Sequence, residues 1–190
     1  MSHMVGHAAC GFGPVMPGVR RPEEGVMLLL FKNLLFTVLV PGTVAVYIPL
    51  SIAASTSGPH SPAWGIWQLI SLIPISTGAA IYFWCLWDFA MHGHGTPAPI
   101  DAPKQLVARG LYRYVRNPMY IGVLLVIGGW AVYFQSWGIV VYVAAIGLFF
   151  HIFVVKVEEP ILRRKFGEGY LNYSNEVGRW VPRVWRRQDA

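Results

Sequence analysis

Residues able to do chemistry gather in three places. Between Arg109 and Gly122 the chain reads Arg-Gly-Leu-Tyr-Arg-Tyr-Val-Arg-Asn-Pro-Met-Tyr-Ile-Gly, with three arginines and three tyrosines against the start of a long apolar run. Asn117 and Pro118 stand at the seam. Asn is a favoured N-cap, and proline is tolerated in the first helical turn, where its missing N–H costs nothing. A helix is therefore expected to start there, and arginines at its positive end suit an anionic group. Arginines beside an apolar run also satisfy the simpler demand of membrane topology. The second place is the end of another apolar run, where His151 precedes Glu158-Glu159-Pro160. His151 and Glu158 are seven residues apart, hence on one helix face about two turns apart. The third is the stretch His92-Gly93-His94-Gly95-Thr96-Pro97-Ala98-Pro99.

Each has a plain structural reading beside the chemical one. Glu159 and Arg163 are spaced i,i+4 with the acid first, a surface pair worth only about 0.2–0.5 kcal/mol. His151 stands among Phe149, Phe150 and Phe153, where a packed ring is at home. Against that, ionisable groups at membrane depth are expensive and usually face a bundle interior or a water-filled cavity. A metal set is not expected: His92, His94 and His151 have only a loose His-x-His spacing, with no cysteine or carboxylate at a recognised interval. A Gly-rich phosphate loop, a serine elbow and a Cys-His pair are likewise not evident.

The elements that must position these groups are membrane helices. Of 190 residues, 55% are hydrophobic and 13% charged, against roughly 25% charged in soluble domains. The mean hydropathy is +0.47. The composition thus points to an all-α integral membrane bundle forming one domain over residues 25–190. The net charge of +6 fits anionic lipid headgroups better than nucleic acid, because the basic residues flank apolar runs. Cys10 and Cys85 offer no disulfide framework. Met1-Ser-His-Met4 reads as an expression scar, and residues 1–24, rich in Gly and Pro, as a flexible N-terminus.

Four spans are expected. The first runs from about Val26 to Ala54, with Lys32 snorkelling and Pro41 kinking or splitting it. The second runs from about Ala63 to Phe89, with Trp64 and Trp67 at one interface, Trp84 and Trp87 at the other, and a kink at Pro74. A linker of about 28 residues, long enough to suggest function, leads to the third span, Pro118 to about Phe134. The fourth runs from near Trp137 to about Val157 and is closed by Glu158-Glu159-Pro160. All 15 Lys and Arg residues fall in or near the N-terminus, the 90–117 linker or the C-terminal tail. Both termini and the long linker are therefore expected on the cytoplasmic side, of a bacterial inner membrane or its equivalent.

Three spaced elements resemble a family. Arg116-Asn117-Pro118-Met119-Tyr120, then Glu158-Glu159-Pro160, then Phe166-Gly167-x-x-Tyr170-x-x-Tyr173 with Val181-Pro182-Arg183 are similar to the membrane-embedded methyltransferases. These comprise the isoprenylcysteine carboxyl methyltransferases and the phospholipid N-methyltransferases. The resemblance covers residues 90–183. It implies S-adenosylmethionine as cofactor, wrapped in the cytoplasmic ends of the last spans, and a lipid-soluble acceptor entering from the bilayer. It also implies a Gly-x-Gly and a Glu-Glu element at the cofactor, for which Gly93-His94-Gly95 and Glu158-Glu159 are the matching residues. Asn117 and Leu111 depart from many carboxyl methyltransferases, which have His and Pro there.

The residues suit that cofactor chemically. A glutamate suits its ammonium, an arginine fork its carboxylate, and tyrosine faces its adenine or sulfonium. Glu158 or Glu159 is expected at the amino group and Arg116 at a carboxylate of cofactor or substrate. Tyr112, Tyr114 and Tyr120 are expected as the pocket wall, with Leu111, Asn117 and Pro118 beside them. Gly93, His94, Gly95, Thr96 and Pro97 would form a lid, and Tyr170 and Arg183 would close over it from the tail. An amine acceptor would need a base, for which His151 or a glutamate is the candidate. Two other readings stay open: an NADPH-dependent sterol-reductase-like enzyme, and a non-catalytic scaffold whose charges are lipid-facing salt bridges.

Overall fold

The computed structural model describes residues 31, 34–56, 65–89, 106 and 108–183. The expected flexible N-terminus, Lys32, Trp64 and the whole segment Gly93–Pro97 lie outside the described residues. Among those residues the secondary structure is helical, apart from one isolated parallel bridge between Val115 and Gly178.

Helix α1 spans Leu34–Ser55, α2 Ile66–Asp88, α3 Pro118–Phe134, α4 Trp137–Phe166 and α5 Glu168–Glu176. Three of them, α1, α2 and α4, are long and apolar enough to cross a membrane. Helix α3 is apolar and 17 residues long, about 25 Å at 1.5 Å per residue. The protein is an all-α integral membrane bundle.

The expected third helix matches the observed one at both ends. Pro118 occupies its first turn, and Gln135, in the left-handed region at φ 49°, ends it. The proline in α1 does not split the helix. A π-helical segment, Thr43–Tyr47, follows Pro41-Gly42, and Gly42 keeps right-handed helical dihedrals. The Thr43 hydroxyl donates to the Leu39 carbonyl at 2.6 Å. Helix α2 likewise runs uninterrupted through Pro74.

One boundary is corrected. Glu158-Glu159-Pro160 does not close the fourth helix, which continues to Phe166 through a π-helical segment, Val154–Glu158. Pro160 falls in the first turn of the helical stretch that follows, where a missing N–H is tolerated. The wider turn before it absorbs the interruption. Gly167, at φ 53° and ψ −128°, then turns the chain into α5. A side chain would strain that conformation.

Helices α2 and α3 are antiparallel and make the largest contact in the bundle. Gln68 at the start of α2 donates from Nε2 to the Tyr133 carbonyl at the end of α3, at 3.2 Å. Their backbones touch at small residues: a Cβ on Gly78 would lie 2.5 Å from the Gly122 carbonyl and 2.9 Å from Val126 N. Gly78→Ala is therefore expected to force the helices apart and destabilise by about 1–3 kcal/mol. Gly128→Ala, which meets nothing within 4 Å, is the control, expected to be neutral or stabilising by up to about 1 kcal/mol. Denaturation of both variants in detergent checks the pair. Ile127 and Ile139 lie fully buried between α3 and α4, and Ala45 and Ala53 bring α1 onto them. Hydrogen bonds from Tyr142 to the Val44 carbonyl (3.0 Å) and between Thr37 and Tyr82 (2.9 Å) fix α1 at two depths.

Candidate functional site

The end of the bundle where α3 starts and α2 finishes carries the charged groups. A tight turn, Gly110–Arg113, brings the chain up to α3. There the C-terminal tail returns beside it. Arg116 N donates to the Gly178 carbonyl at 2.8 Å, and Asn117 Nδ2 to the Arg179 carbonyl at 3.1 Å. Asn117 thus stands at the N-cap position of α3 while its side chain makes no cap hydrogen bond. The amide ties down the tail instead.

That docking builds a cluster around Glu159, which is 4% exposed. Arg179 grips its carboxylate with a fork, Nε to Oε1 at 2.6 Å and Nη2 to Oε2 at 3.0 Å. Arg116 Nη1 reaches Oε1 at 3.1 Å and also donates to the Tyr170 hydroxyl at 3.3 Å. The i,i+4 partner, Arg163, is the most distant at 3.7 Å and largely exposed. Surface pairing is the least of what holds Glu159. Its hydrogen bond in turn holds the Arg179 guanidinium above its ordinary pKa.

Glu158 has a different environment. It is half-buried, and Tyr120 donates its hydroxyl to Oε2 at 3.0 Å. Among the described residues no basic group lies within ion-pair distance of it. Nearby, Arg116 has a side chain only 10% exposed, and its Nε is buried with no hydrogen-bond partner among the described residues. The site therefore holds one carboxylate saturated by arginines, one carboxylate held by a phenol, and one guanidinium nitrogen unused.

Trp180 extends the cluster toward the apolar part of α4. Its ring lies 6.4 Å from that of Tyr120, which packs on Phe150 at 4.6 Å. Its indole N–H donates to His151 Nδ1 at 3.0 Å.

The structure thus brings together Arg116, Asn117, Pro118, Tyr120, Glu158, Glu159 and Tyr170, with His151 joined through Trp180. Leu111 and Tyr112 belong to a neighbouring apolar cluster with Cys85 and Phe89, and Tyr173 donates to the Tyr112 carbonyl at 2.7 Å. Burial pushes the phenols of Tyr112, Tyr170 and Tyr173 up, so all three stay neutral. Tyr114 is 63% exposed. Arg183 is exposed and donates to the Asn175 carbonyl. Arg179 and Trp180 carry no motif of their own in the sequence. Only one signal hinted at them: a buried glutamate needs more compensation than a single i,i+4 pair supplies.

An apolar helical bundle with arginines, glutamates and tyrosines gathered at one end defines a membrane protein with a polar site at the mouth of its spans. A family model described as phospholipid methyltransferase matches residues 67–169. The match covers more than half of the chain, and the protein belongs to the phospholipid methyltransferase family. Comparisons with curated proteins and with solved structures give no match. Membership makes the chain a membrane methyltransferase and implies lipid substrates. The matched stretch runs from α2 past the end of α4 and contains Arg116, Tyr120 and both glutamates. Arg179 and Trp180 lie beyond it.

Proposed function

We propose that this protein transfers a methyl group from S-adenosylmethionine to a hydrophobic or amphiphilic acceptor at the cytoplasmic face of the membrane. In this reading all four helices α1–α4 cross, residues 25–190 act as one domain, and the lysines and arginines lie on the cytoplasmic side. The observation that carries the proposal is the unequal state of the two glutamates. Glu159 is consumed by Arg179, Arg116 and Arg163, whereas Glu158, among the described residues, keeps capacity beyond its bond to Tyr120.

The residues suit the cofactor. Glu158 would accept from its ammonium and the free Nε of Arg116 would donate to its carboxylate, both as charge-assisted hydrogen bonds. The face of Tyr120 would border the adenine or sulfonium, with Tyr170 buried behind it as a partner of Arg116. Gly93, His94, Gly95, Thr96 and Pro97 would contact the cofactor, with Tyr112, Tyr114 and Leu111 in the pocket wall and Arg183 closing from the tail. The cofactor supplies an activated methyl group. The protein's part is alignment and exclusion of water, which a site roofed by Tyr170 and the returning tail serves. A carboxylate or thiolate acceptor then needs little proton transfer, while the amine of a phospholipid-like acceptor must give up a proton, for which a glutamate of the site is the candidate base; either acceptor fits the apolar approach from α4.

Isothermal titration of the purified protein with S-adenosylmethionine and with NADPH tests the reading. Heat is expected with the first alone. Binding of NADPH alone would overturn it in favour of a reductase, and binding of neither in favour of a scaffold.

A further inference from the structure

His151 sits in the apolar stretch of α4, exposed, with exposed Leu148, Phe149 and Ile152 around it. Its hydrogen bond to Trp180 fixes its chemistry. An indole N–H can only donate, so the Nδ1 that receives the Trp180 N–H at 3.0 Å must present a lone pair. A neutral imidazole whose Nδ1 accepts carries its proton on Nε2. Protonating Nδ1 would set two N–H groups against each other and break the contact. Held this way, His151 has no free lone pair with which to act as a base. It is a donor.

That donor needs an acceptor. Among the described residues nothing accepts from Nε2–H, and its helix neighbours are hydrocarbon. An unsatisfied N–H facing lipid chains is costly. An oxygen of a lipid headgroup satisfies it, and an anionic oxygen does so about twice as strongly as a neutral one. The charged and titratable groups around the ring agree with such a guest. Lys156 lies further along the same helix, and Glu158 is engaged by Tyr120, which lies between it and Trp180.

We propose that His151, locked as the Nε2–H tautomer by Trp180, is a positioning residue that donates to an anionic oxygen of the acceptor's headgroup. The proposal rests on the methyl-transfer reading above. It also assigns direction. His151 and Glu158 are seven residues apart on one helix, with the π-helical segment Val154–Glu158 running between them, so Glu158 lies nearer the tail. An acceptor held at His151 keeps its chains among the exposed residues of α4 and its reacting group toward Glu158 and Arg116. The oxyanion can be a phosphodiester or a carboxylate.

The test uses the full chain in nanodiscs with ¹⁵N-histidine. Spectra are assigned with His151→Gln and titrated separately with dihexanoyl phosphatidylethanolamine and with N-acetyl-S-farnesylcysteine. The free protein is expected to show protonated Nε2 and unprotonated Nδ1 at His151, and one of the two titrants should shift Nε2–H, which names the oxyanion. In methyl-transfer assays with that titrant, His151→Leu should raise its KM about ten- to a hundredfold while leaving S-adenosylmethionine affinity unchanged. His151→Gln, whose amide can accept from Trp180 and still donate, should recover most of that loss. A proton on Nδ1, no shift with either titrant, an unaltered acceptor KM, or equal loss of cofactor affinity in the Leu variant would overturn the proposal. Absence of cofactor binding by the unaltered protein would instead sink the methyl-transfer reading, with the spectra still deciding the role of His151.

Discussion

Glu159→Ala is expected to lower stability by about 3–5 kcal/mol, the cost of breaking a buried ion pair by removing one partner. The alanine itself would pack harmlessly. The loss comes from the cations left behind. Arg116, 10% exposed, would keep only its bond to Tyr170, and Arg179 would lose both arms of its fork. Because the Arg179 carbonyl holds the Asn117 amide and Gly178 holds Arg116 N, the tail should loosen with it. Urea denaturation in detergent measures the first effect, and trypsin cleavage after Arg179 or Arg183 the second. Glu159→Gln, which can still accept one or two of these bonds, should fall between the variants. Unchanged stability together with unchanged tryptic protection would mean that the cluster does not hold the tail.

Glu158→Gln should leave the fold intact and weaken cofactor binding instead. The amide is isosteric and can still accept from Tyr120 at the position of Oε2. Among the described residues no arginine depends on Glu158, so the expected stability change is within about 0.5 kcal/mol. What disappears is the negative charge offered to an ammonium. Truncating one member of a buried charge pair costs about 2–5 kcal/mol, so affinity for S-adenosylmethionine should fall roughly thirtyfold to a few thousandfold. Calorimetric titration of the variant against the unaltered protein measures it. Arg116→Ala should weaken binding by a similar amount but also disturb Glu159, so the glutamine variant is the cleaner probe. Equal affinity in Glu158→Gln, with the same unfolding midpoint, would return this glutamate to the rank of a topology marker.

What could be read from the sequence follows from how local its cause is. The start of α3 at Pro118 was legible because proline in a first turn is a local preference. Its end at Phe134 was legible because an uncharged turn follows. The apolar runs announced the bundle for the same reason, through composition alone. Arg116, Tyr120 and the glutamates could be singled out because they interrupt or bound apolar runs. Their partners could not. Arg179 and Trp180 reach Glu159 and His151 by a returning tail, and nothing within a few residues of either says where that tail lands. Asn117 shows the same limit from the other side: its type fits a cap, but a tail carbonyl took its amide. The continuation of α4 through Glu158-Glu159-Pro160 was missed because proline usually ends a helix, and a π-helical turn removes that penalty.

That turn has a consequence for chain length. A π-helical segment accommodates one residue more than the α-helix it replaces, and one residue is about 100° of rotation. The stripe of α4 that meets α1 and α3 is therefore out of phase with the stripe that carries the two acids. Because the wide turn absorbs that residue locally, shortening Val154–Glu158 by a single residue would restore a regular helix and leave Glu159 facing Arg116 and Arg179. In related chains, a one-residue gap at this point should therefore leave the acidic pair in place against its arginines. A gap after Pro160, where no wide turn can absorb it, would instead rotate Arg163 away from Glu159.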